Sequence, residues 1–323
     1  MLYRNIADTG ISVSALALGT WSFGNDRWWG HQDDQRSYEA LDAALASGIN
    51  LIDTAPVYGR GKSEEVIGSF IVGHKLRDKV IIATKLGLNW DKHGPKIFHD
   101  LTPIRMRQEL DDSRKRLQTD YFDLYQVHWP DKNVPIASTA ELMREFYEKK
   151  VIRAVGVSNY SVEQMQEFMR YCPLHSLQPQ YSMFHRDIER ETVDFCIKHN
   201  IAILAYAPLF SGILTGKFYF DNVAVPNDIN RGYKSVHFKE PLLSLNKDCL
   251  SQLKEMAQKY GKTLGQLVLN WTMIQPGIVS VLAGSRSAQQ LRDNLGSCGW
   301  VITREDMEMI NILLRKREEK IKA

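Results

Sequence analysis

The sequence predicts a (β/α)₈ barrel that spans residues 1–323 as a single domain, with an N-terminal β-hairpin and a long loop after the seventh strand. Three observations predict it. Strand-like and helix-like runs alternate through eight units with no linker-like break. The chain's 323 residues exceed the ~150 of a typical domain, yet α/β barrels commonly run past ~250 residues as one domain. The turn after the first strand, GTWSFGNDRWWG, has the wrong spacing for the GxGxxG of a doubly wound open sheet, the competing α/β architecture.

The elements follow in order. LYRNI and ISVSAL flank Asp8-Thr9-Gly10 in the first sixteen residues, which reads as a hairpin placed to plug the barrel floor. The strand-like runs are ALALGT (15–20), INLIDT (49–54), KVIIATK (79–85), YFDLYQVHW (121–129), RAVGVSN (153–159), SLQPQYS (176–182), IAILAYAP (201–208) and IVSVLAGS (278–285). Between them, 33–48 opens with acids and closes on Gly48, and 102–118 opens on Thr-Pro. The run 161–171 has Ser161 and Gln164 in capping-box spacing. Amphipathic helices are also predicted over 188–200 and 287–297. After the seventh strand no helix signal resumes from Leu209 until about Leu245. This stretch holds SGILTGKF and NDINRGYKSVHFKE. Unstructured connections longer than ~15 residues are uncommon in compact domains, so it reads as a cover over a ligand.

Bulk properties exclude several classes. Hydrophobic residues make up 44% of the chain and charged residues 24%, ordinary for a globular protein. The net charge of +3 and the scattered Lys and Arg argue against a nucleic-acid partner. RKREEK (315–320) mixes signs and reads as a solvated helix end. Cys172, Cys196, Cys249 and Cys298 form no CxxC pair, so neither a disulfide framework nor a metal site is expected. The start MLYRNIADTG has no apolar signal region and no run of 18 apolar residues occurs, so the expected location is cytoplasmic, with no membrane partner.

Catalytic groups of barrels come from the C-terminal ends of the strands. Here the second strand ends in Asp53, the third in Lys85, the fourth in His128 and the fifth in Ser158 and Asn159. The sixth carries Gln180, the seventh Tyr206, and the eighth Gly284, Ser285 and Arg286. Each has a structural reading of its own: Asp53 as a helix cap, Lys85 as a snorkelling rim residue, His128 as a satisfied core histidine. Convergence of so many polar groups on one rim argues for a site instead. Tyr58 lies five residues past Asp53, across a proline turn. A neighbouring ammonium would lower the phenol pKa, and a carboxylate would keep that ammonium charged and aimed. Such a tyrosine can protonate a carbonyl oxygen while a histidine orients it. No side chain supplies a hydride, so this chemistry requires a cofactor.

These residues carry a family resemblance. LALGTW (16–21), LIDTAPVYG (51–59), SEEVIG (63–68), IATK (82–85), DLYQVHWPD (123–131), GVSN (156–159), AYAPL (205–209) and GSRSAQQLRDN (284–294) occur in the order found in aldo-keto reductases, over nearly the whole chain. The sequence resembles bacterial members of that family more than mammalian aldose reductases. The resemblance implies a catalytic tetrad at Asp53, Tyr58, Lys85 and His128. It implies that Ser158, Asn159 and Gln180 hydrogen-bond a nicotinamide carboxamide and that Tyr206 stacks on its ring. Leu209, Gly212 and Lys217 resemble the segment that folds over the pyrophosphate. Gly284, Ser285 and Arg286 match the turn that meets the adenosine 2′-phosphate, and Gln290 and Asn294 match positions that meet the adenine. An Arg at this turn favours NADPH/NADP⁺ over NADH. Two positions depart from the pattern: neutral Gln290 stands where some members have a base, and Ala283 where a Pro is frequent.

Trp21, Trp28, Trp29, Trp90 and Trp129 follow strands on the proposed active face and are read as substrate-pocket walls, with core packing as the competing reading. No Arg or Lys stands out to hold a charged substrate. The expected partner is therefore a small neutral carbonyl, an aryl aldehyde or sugar among them, or the matching alcohol. Two rival functions share these residues: a cofactor-sensing binding subunit with little turnover, and a barrel lyase using Lys85 as a Schiff-base nucleophile.

Overall fold

Short runs of aliphatic residues with a period of two leave one face of each strand for a barrel interior and the other for a helix layer. The structure, a computed structural model, describes residues 1–24, 29–91, 94, 96–221, 223–224 and 236–322. The hairpin forms first: β1 (Tyr3–Asn5) pairs antiparallel with β2 (Ser12–Ser14), Arg4 opposite Val13. The barrel strands are β3 (Leu16–Gly19), β4 (Leu51–Asp53), β5 (Ile81–Leu86), β8 (Leu124–Val127), β9 (Val155–Ser158), β10 (Ser176–Gln178), β11 (Ala202–Tyr206) and β12 (Ile278–Gly284). They run parallel in chain order, and β12 pairs with β3 to close the ring. Every strand expected from the sequence is present, with ends trimmed by a few residues.

The hairpin plugs the floor. Ile6, Ile11 and Val13 are buried in one cluster with Ala17, Leu51, Ala83, Leu124, Ala154, Ala202, Leu204 and Leu282. That cluster is the barrel's interior face, whereas Ile52, Ile82, Leu86, Val127, Val155, Val157 and Leu177 belong to the outer core beneath the helices. Polar ties hold the plug in place. The Arg4 guanidinium donates to Met273 O at 2.8 Å and Ile278 O at 2.7 Å, and Asn50 Nδ2 donates to Ser12 O at 2.8 Å.

The period of two decides what sits above the plug. Leu51 and Ala83 face inward, so Asp53 and Lys85 do too, two residues further along β4 and β5. The same phase sends Gln126, Ser158, Gln178 and Tyr206 into the interior. The lower interior is apolar and its uppermost layer is polar, at the C-terminal end of the strands.

Helices alternate with the strands: α1 (Asp34–Ala46), α2 (Lys62–Gly73), α3 (Pro103–Leu117), α4 (Ile136–Glu148), α5 (Val162–Met169) and α6 (Thr192–Lys198). The capping box of Ser161 and Gln164 starts α5. The helix expected over 188–200 is instead a 3-10 turn, Asp187–Glu189, followed by the shorter α6. After β11 the long connection holds local structure that the sequence reading did not anticipate. A 3-10 turn spans Phe210–Thr215 and α7 spans Lys217–Phe220. Most of NDINRGYKSVHFKE lies outside the described residues. Helix α8 (Leu242–Lys259) starts slightly earlier than expected, and α9 (Leu264–Met273) leads into β12. Helix α10 (Ala288–Leu295) follows β12, and α11 (Arg304–Lys322) packs on α8.

Two details depart from the sequence reading. An antiparallel ribbon, β6 (Leu88–Trp90) with β7 (Ile97–His99), rises from the end of β5 outside the barrel, so Trp90 sits in a strand rather than a loop. In RKREEK, Arg317 is buried rather than solvated. No helix among the described residues is long and apolar enough to cross a membrane. No group of three or more His, Cys, Asp or Glu among them is arranged to hold a metal ion.

Candidate active site

The proline turn after β4 does not continue the strand. Tyr58 N–H donates to Ala55 O at 3.0 Å, and the chain enters a 3-10 turn, Tyr58–Gly61. Gly59 has φ 58°, and a Cβ there would collide with the Gly24 carbonyl. The turn therefore brings Tyr58 back over the strand that ends in Asp53.

Lys85 occupies the centre with none of its side chain exposed. Its Nζ donates to Asp53 Oδ1 at 2.7 Å, to Thr54 O at 2.9 Å and to the Tyr58 hydroxyl oxygen at 3.4 Å. Asp53 is aimed from its other side as well: Gln178 Nε2 donates to Oδ2 at 2.8 Å and Gln126 Nε2 at 3.4 Å. The His128 ring stands edge-on to Tyr58, with centroids 5.9 Å apart and planes at 82°. Asp53, Tyr58, Lys85 and His128 thus come together from four separate segments.

Burial governs the electrostatics. It pulls the Lys85 ammonium down from its ordinary pKa, and Asp53 opposes that loss. It pulls His128 well below the usual imidazole value, helped by the charge of Lys85, so the ring is neutral at pH 7. For Tyr58 the structure corrects the sequence argument. The phenol is raised well above its ordinary value, first by burial and then by Asp53. The carboxylate 2.7 Å from Lys85 compensates the ammonium, so loss of hydration dominates. Tyr58 therefore holds its proton through the neutral range.

The residues expected to hold a cofactor form two groups. In the first, Ser158 Oγ donates to Gln178 O at 2.7 Å. Asn159, in the left-handed region at φ 60°, donates through Nδ2 to His128 O at 3.0 Å and Ser158 Oγ at 2.9 Å. Its Oδ1 accepts from the Tyr206 hydroxyl at 2.9 Å. Gln180 lies beyond β10 in a bridge with Tyr206, and it is Gln178 that turns its amide toward Asp53. In the second group, Asn294 Nδ2 donates to Ser285 Oγ at 3.0 Å and the Arg286 N–H donates to Gln290 Oε1 at 2.8 Å. The Arg286 side chain reaches the first loop, donating to Gln32 Oε1, Gly30 O and His31 O, each at 3.0 Å. Gly284 ends β12 immediately before this cluster. Between the groups, Leu209 leads into Phe210, Ser211 and Gly212, all left-handed, and Lys217 opens α7. In this turn the Phe210 and Gly212 N–H groups donate to Ala207 O and Leu209 O, each at 2.9 Å.

The tryptophans divide. Trp21 lies 6.4 Å from the Tyr58 ring, and Trp29 meets Trp21 edge-on at 5.3 Å. Trp129 is 39% exposed and packs against His99 instead. Trp90 lies on β6, and Trp28 lies outside the described residues.

Sequence reasoning passed over Gln126 and Gln178, although an amide at the inward phase of an apolar strand was a usable signal. It also passed over two buried carboxylates that flank Lys85. Glu64 accepts from Thr84 Oγ1 at 2.6 Å and Arg116 Nε at 2.7 Å. Glu109 Oε2 accepts from the Gly87 N–H at 2.9 Å. Their partners lie far apart in sequence, so only the fold identifies them.

The donor set along the strand ends suits a nicotinamide dinucleotide: hydroxyl and amide groups at the end of β9, a half-buried tyrosine on β11, and an arginine at the far end.

Comparisons with known proteins agree on one group. The profile of the Aldo/keto reductase family matches residues 15–315. Aldo-keto reductase YhdN of Bacillus subtilis is 42% identical over 318 residues, covering 97% of this chain and 94% of that protein. The NADH-specific methylglyoxal reductase of Escherichia coli is 32% identical, covering 90% of this chain and 92% of that protein. Among solved structures, a glycerol dehydrogenase from Gluconobacter oxydans superposes with a TM-score of 0.90 at 36% identity, covering 98% of this chain and 95% of that one.

Proposed function

The chain belongs to the aldo/keto reductase family, and from that premise we propose that it reduces aldehydes or ketones to alcohols, reversibly, with NADPH preferred over NADH. One observation carries the reading: Lys85 Nζ lies 2.7 Å from Asp53 and 3.4 Å from the hydroxyl of a protonated Tyr58.

Bound nicotinamide would supply the hydride for the carbonyl carbon. The chain's own residues would do the rest. Tyr58 gives its hydroxyl proton to the carbonyl oxygen as negative charge develops there. Lys85 stabilises the phenolate left behind, and Asp53, aimed by Gln178 and Gln126, keeps Lys85 charged and in place. Neutral His128 orients the carbonyl oxygen through a ring N–H. In the alcohol-oxidising direction the same phenol oxygen receives the proton. Ser158, Asn159, Gln180 and Tyr206 would seat the nicotinamide, and the turn around Gly212 would hold the pyrophosphate. Arg286, beside Ser285 and Asn294, supports the choice of NADPH, since a guanidinium fork matches a phosphate dianion. Trp21 and Trp29 support a neutral substrate with an apolar or aromatic face. We further take residues 1–323 to act as one domain in the cytoplasm.

The test is steady-state oxidation of NADPH and of NADH over aryl aldehydes, dicarbonyls and aldoses. Turnover that favours NADPH supports the whole reading, and equal or greater turnover with NADH overturns the cofactor choice alone. Tight NADPH binding without turnover on any carbonyl shifts the reading to a cofactor-sensing subunit. A borohydride-trapped adduct on Lys85 would replace it with lyase chemistry.

A further inference from the structure

Arg317 is an anomaly in the C-terminal helix. Its neighbours Arg315 and Lys316 are exposed, as expected of a solvated helix end. Arg317 is only 6% exposed. A buried cation ordinarily has a carboxylate partner, because loss of hydration is severe without one. Arg317 has two neutral partners. Its Nε donates to Asn246 Oδ1 at 2.8 Å, and its guanidinium lies 3.6 Å from the centre of the Phe184 ring. No described carboxylate forms an ion pair with it; Glu318 acts on it only through space.

Arg317 is among the residues that line a cavity of about 790 Å³, with Arg315, Lys322, His237 and the loop that follows β10. That volume matches a small-molecule site. Among the described residues, five Arg and Lys side chains line it against three carboxylates. Two of those carboxylates are already engaged: Glu189 with Arg186 at 2.7 Å and Asp187 with Arg190 at 3.5 Å. Among the described lining residues the uncompensated charge therefore sits at Arg315, Arg317 and Lys322, with Glu318 the one described carboxylate left to offset it.

We propose that this cavity, between the β10 loop, His237 and α11, binds a phosphate-bearing small molecule whose dianion pairs with Arg317 and Arg315. A phosphate carries close to two negative charges at pH 7 and accepts from guanidinium forks, which supplies what Arg317 lacks. The site is separate from the tetrad and is independent of the proposed reaction. It touches the cofactor side of the molecule through one chain of hydrogen bonds: Asn246 Nδ2 donates to Tyr219 Oη and to His237 O, each at 3.1 Å, in the long connection after β11.

The experiment is calorimetric titration of inorganic phosphate into the full chain, with ionic strength held constant by chloride. The expected result is saturable binding that weakens at least about tenfold in Arg315→Ala and in Arg317→Lys, as for loss of a charge-assisted hydrogen bond. In Arg286→Ala, which removes the competing phosphate position at the adenosine end, the component that depends on Arg315 is expected to persist at wild-type affinity. Absence of saturable binding overturns the proposal, as does wild-type affinity in Arg315→Ala. Weakening confined to Arg286→Ala also overturns it, since phosphate would then occupy the cofactor region. Arg315 is exposed, so its variant carries the test if Arg317→Lys does not fold.

Discussion

At the scale of single residues, the site depends on one buried ammonium held between a carboxylate and a phenol. Because Tyr58 keeps its proton, removing the hydroxyl removes the proposed acid while leaving the ring in place. Tyr58→Phe is expected to lower turnover at least ~100-fold with NADPH affinity retained; tryptophan-fluorescence titration beside steady-state kinetics measures both. The pH dependence follows from the directions of the shifts. Burial and Lys85 place His128 well below the ordinary imidazole pKa, and burial places Tyr58 well above the ordinary phenol pKa. The neutral ring and the protonated phenol therefore coexist across pH 6 to 8. In that window kcat/KM for carbonyl reduction is expected to be flat. An inflection near the ordinary imidazole value that disappears in His128→Gln would show that His128 titrates in the working range.

At the scale of elements, the proposed tetrad depends on a turn as much as on strands. Gly59 is left-handed and packs against the Gly24 carbonyl, so Gly59→Ala forces both a strained φ and a backbone shift next to Tyr58. A stability loss of about 1–3 kcal/mol is expected, together with a fall in kcat larger than any change in cofactor affinity. Denaturant unfolding and single-turnover kinetics separate the two effects, and an unchanged kcat would show that the turn does not aim Tyr58. On the opposite side, β5 is braced where it carries Lys85: Thr84 bonds Glu64 and Gly87 bonds Glu109. These contacts tie the central lysine to α2 and α3 rather than to its barrel neighbours alone.

At the scale of the whole molecule, Glu109 links stability to pH. Burial raises its carboxyl from 4.5 to about 7. With a folded pKa above the unfolded one, its contribution is fully present below pH 4.5 and is lost as pH rises through about 7. Glu109→Gln removes that loss. The variant is expected to gain about 3 kcal/mol over the wild type at pH 8, with a much smaller difference at pH 5. Urea unfolding at the two values checks this, and equal differences at both would mean that Glu109 is not the linked group.

The alternation of eight apolar runs with amphipathic ones was enough to determine the barrel, because strand and helix periods are local properties of the chain. The family resemblance was likewise legible, since the residues that carry it occupy definite places in short motifs. What the sequence could not convey was how those residues meet. Gln178 rather than Gln180 reaches Asp53 because β10 ends at Gln178, level with the carboxylate, whereas Gln180 shares its phase but lies beyond the strand end. The Tyr58 phenol moves up rather than down because burial, a property of the packed whole, outweighs a compensated ammonium. Arg317 reads as solvated within RKREEK and becomes buried only when α11 packs on α8 and against the loop bearing Phe184. Local periodicity determined the elements; desolvation and long-range contact, which exist only once the chain has closed, decided the chemistry.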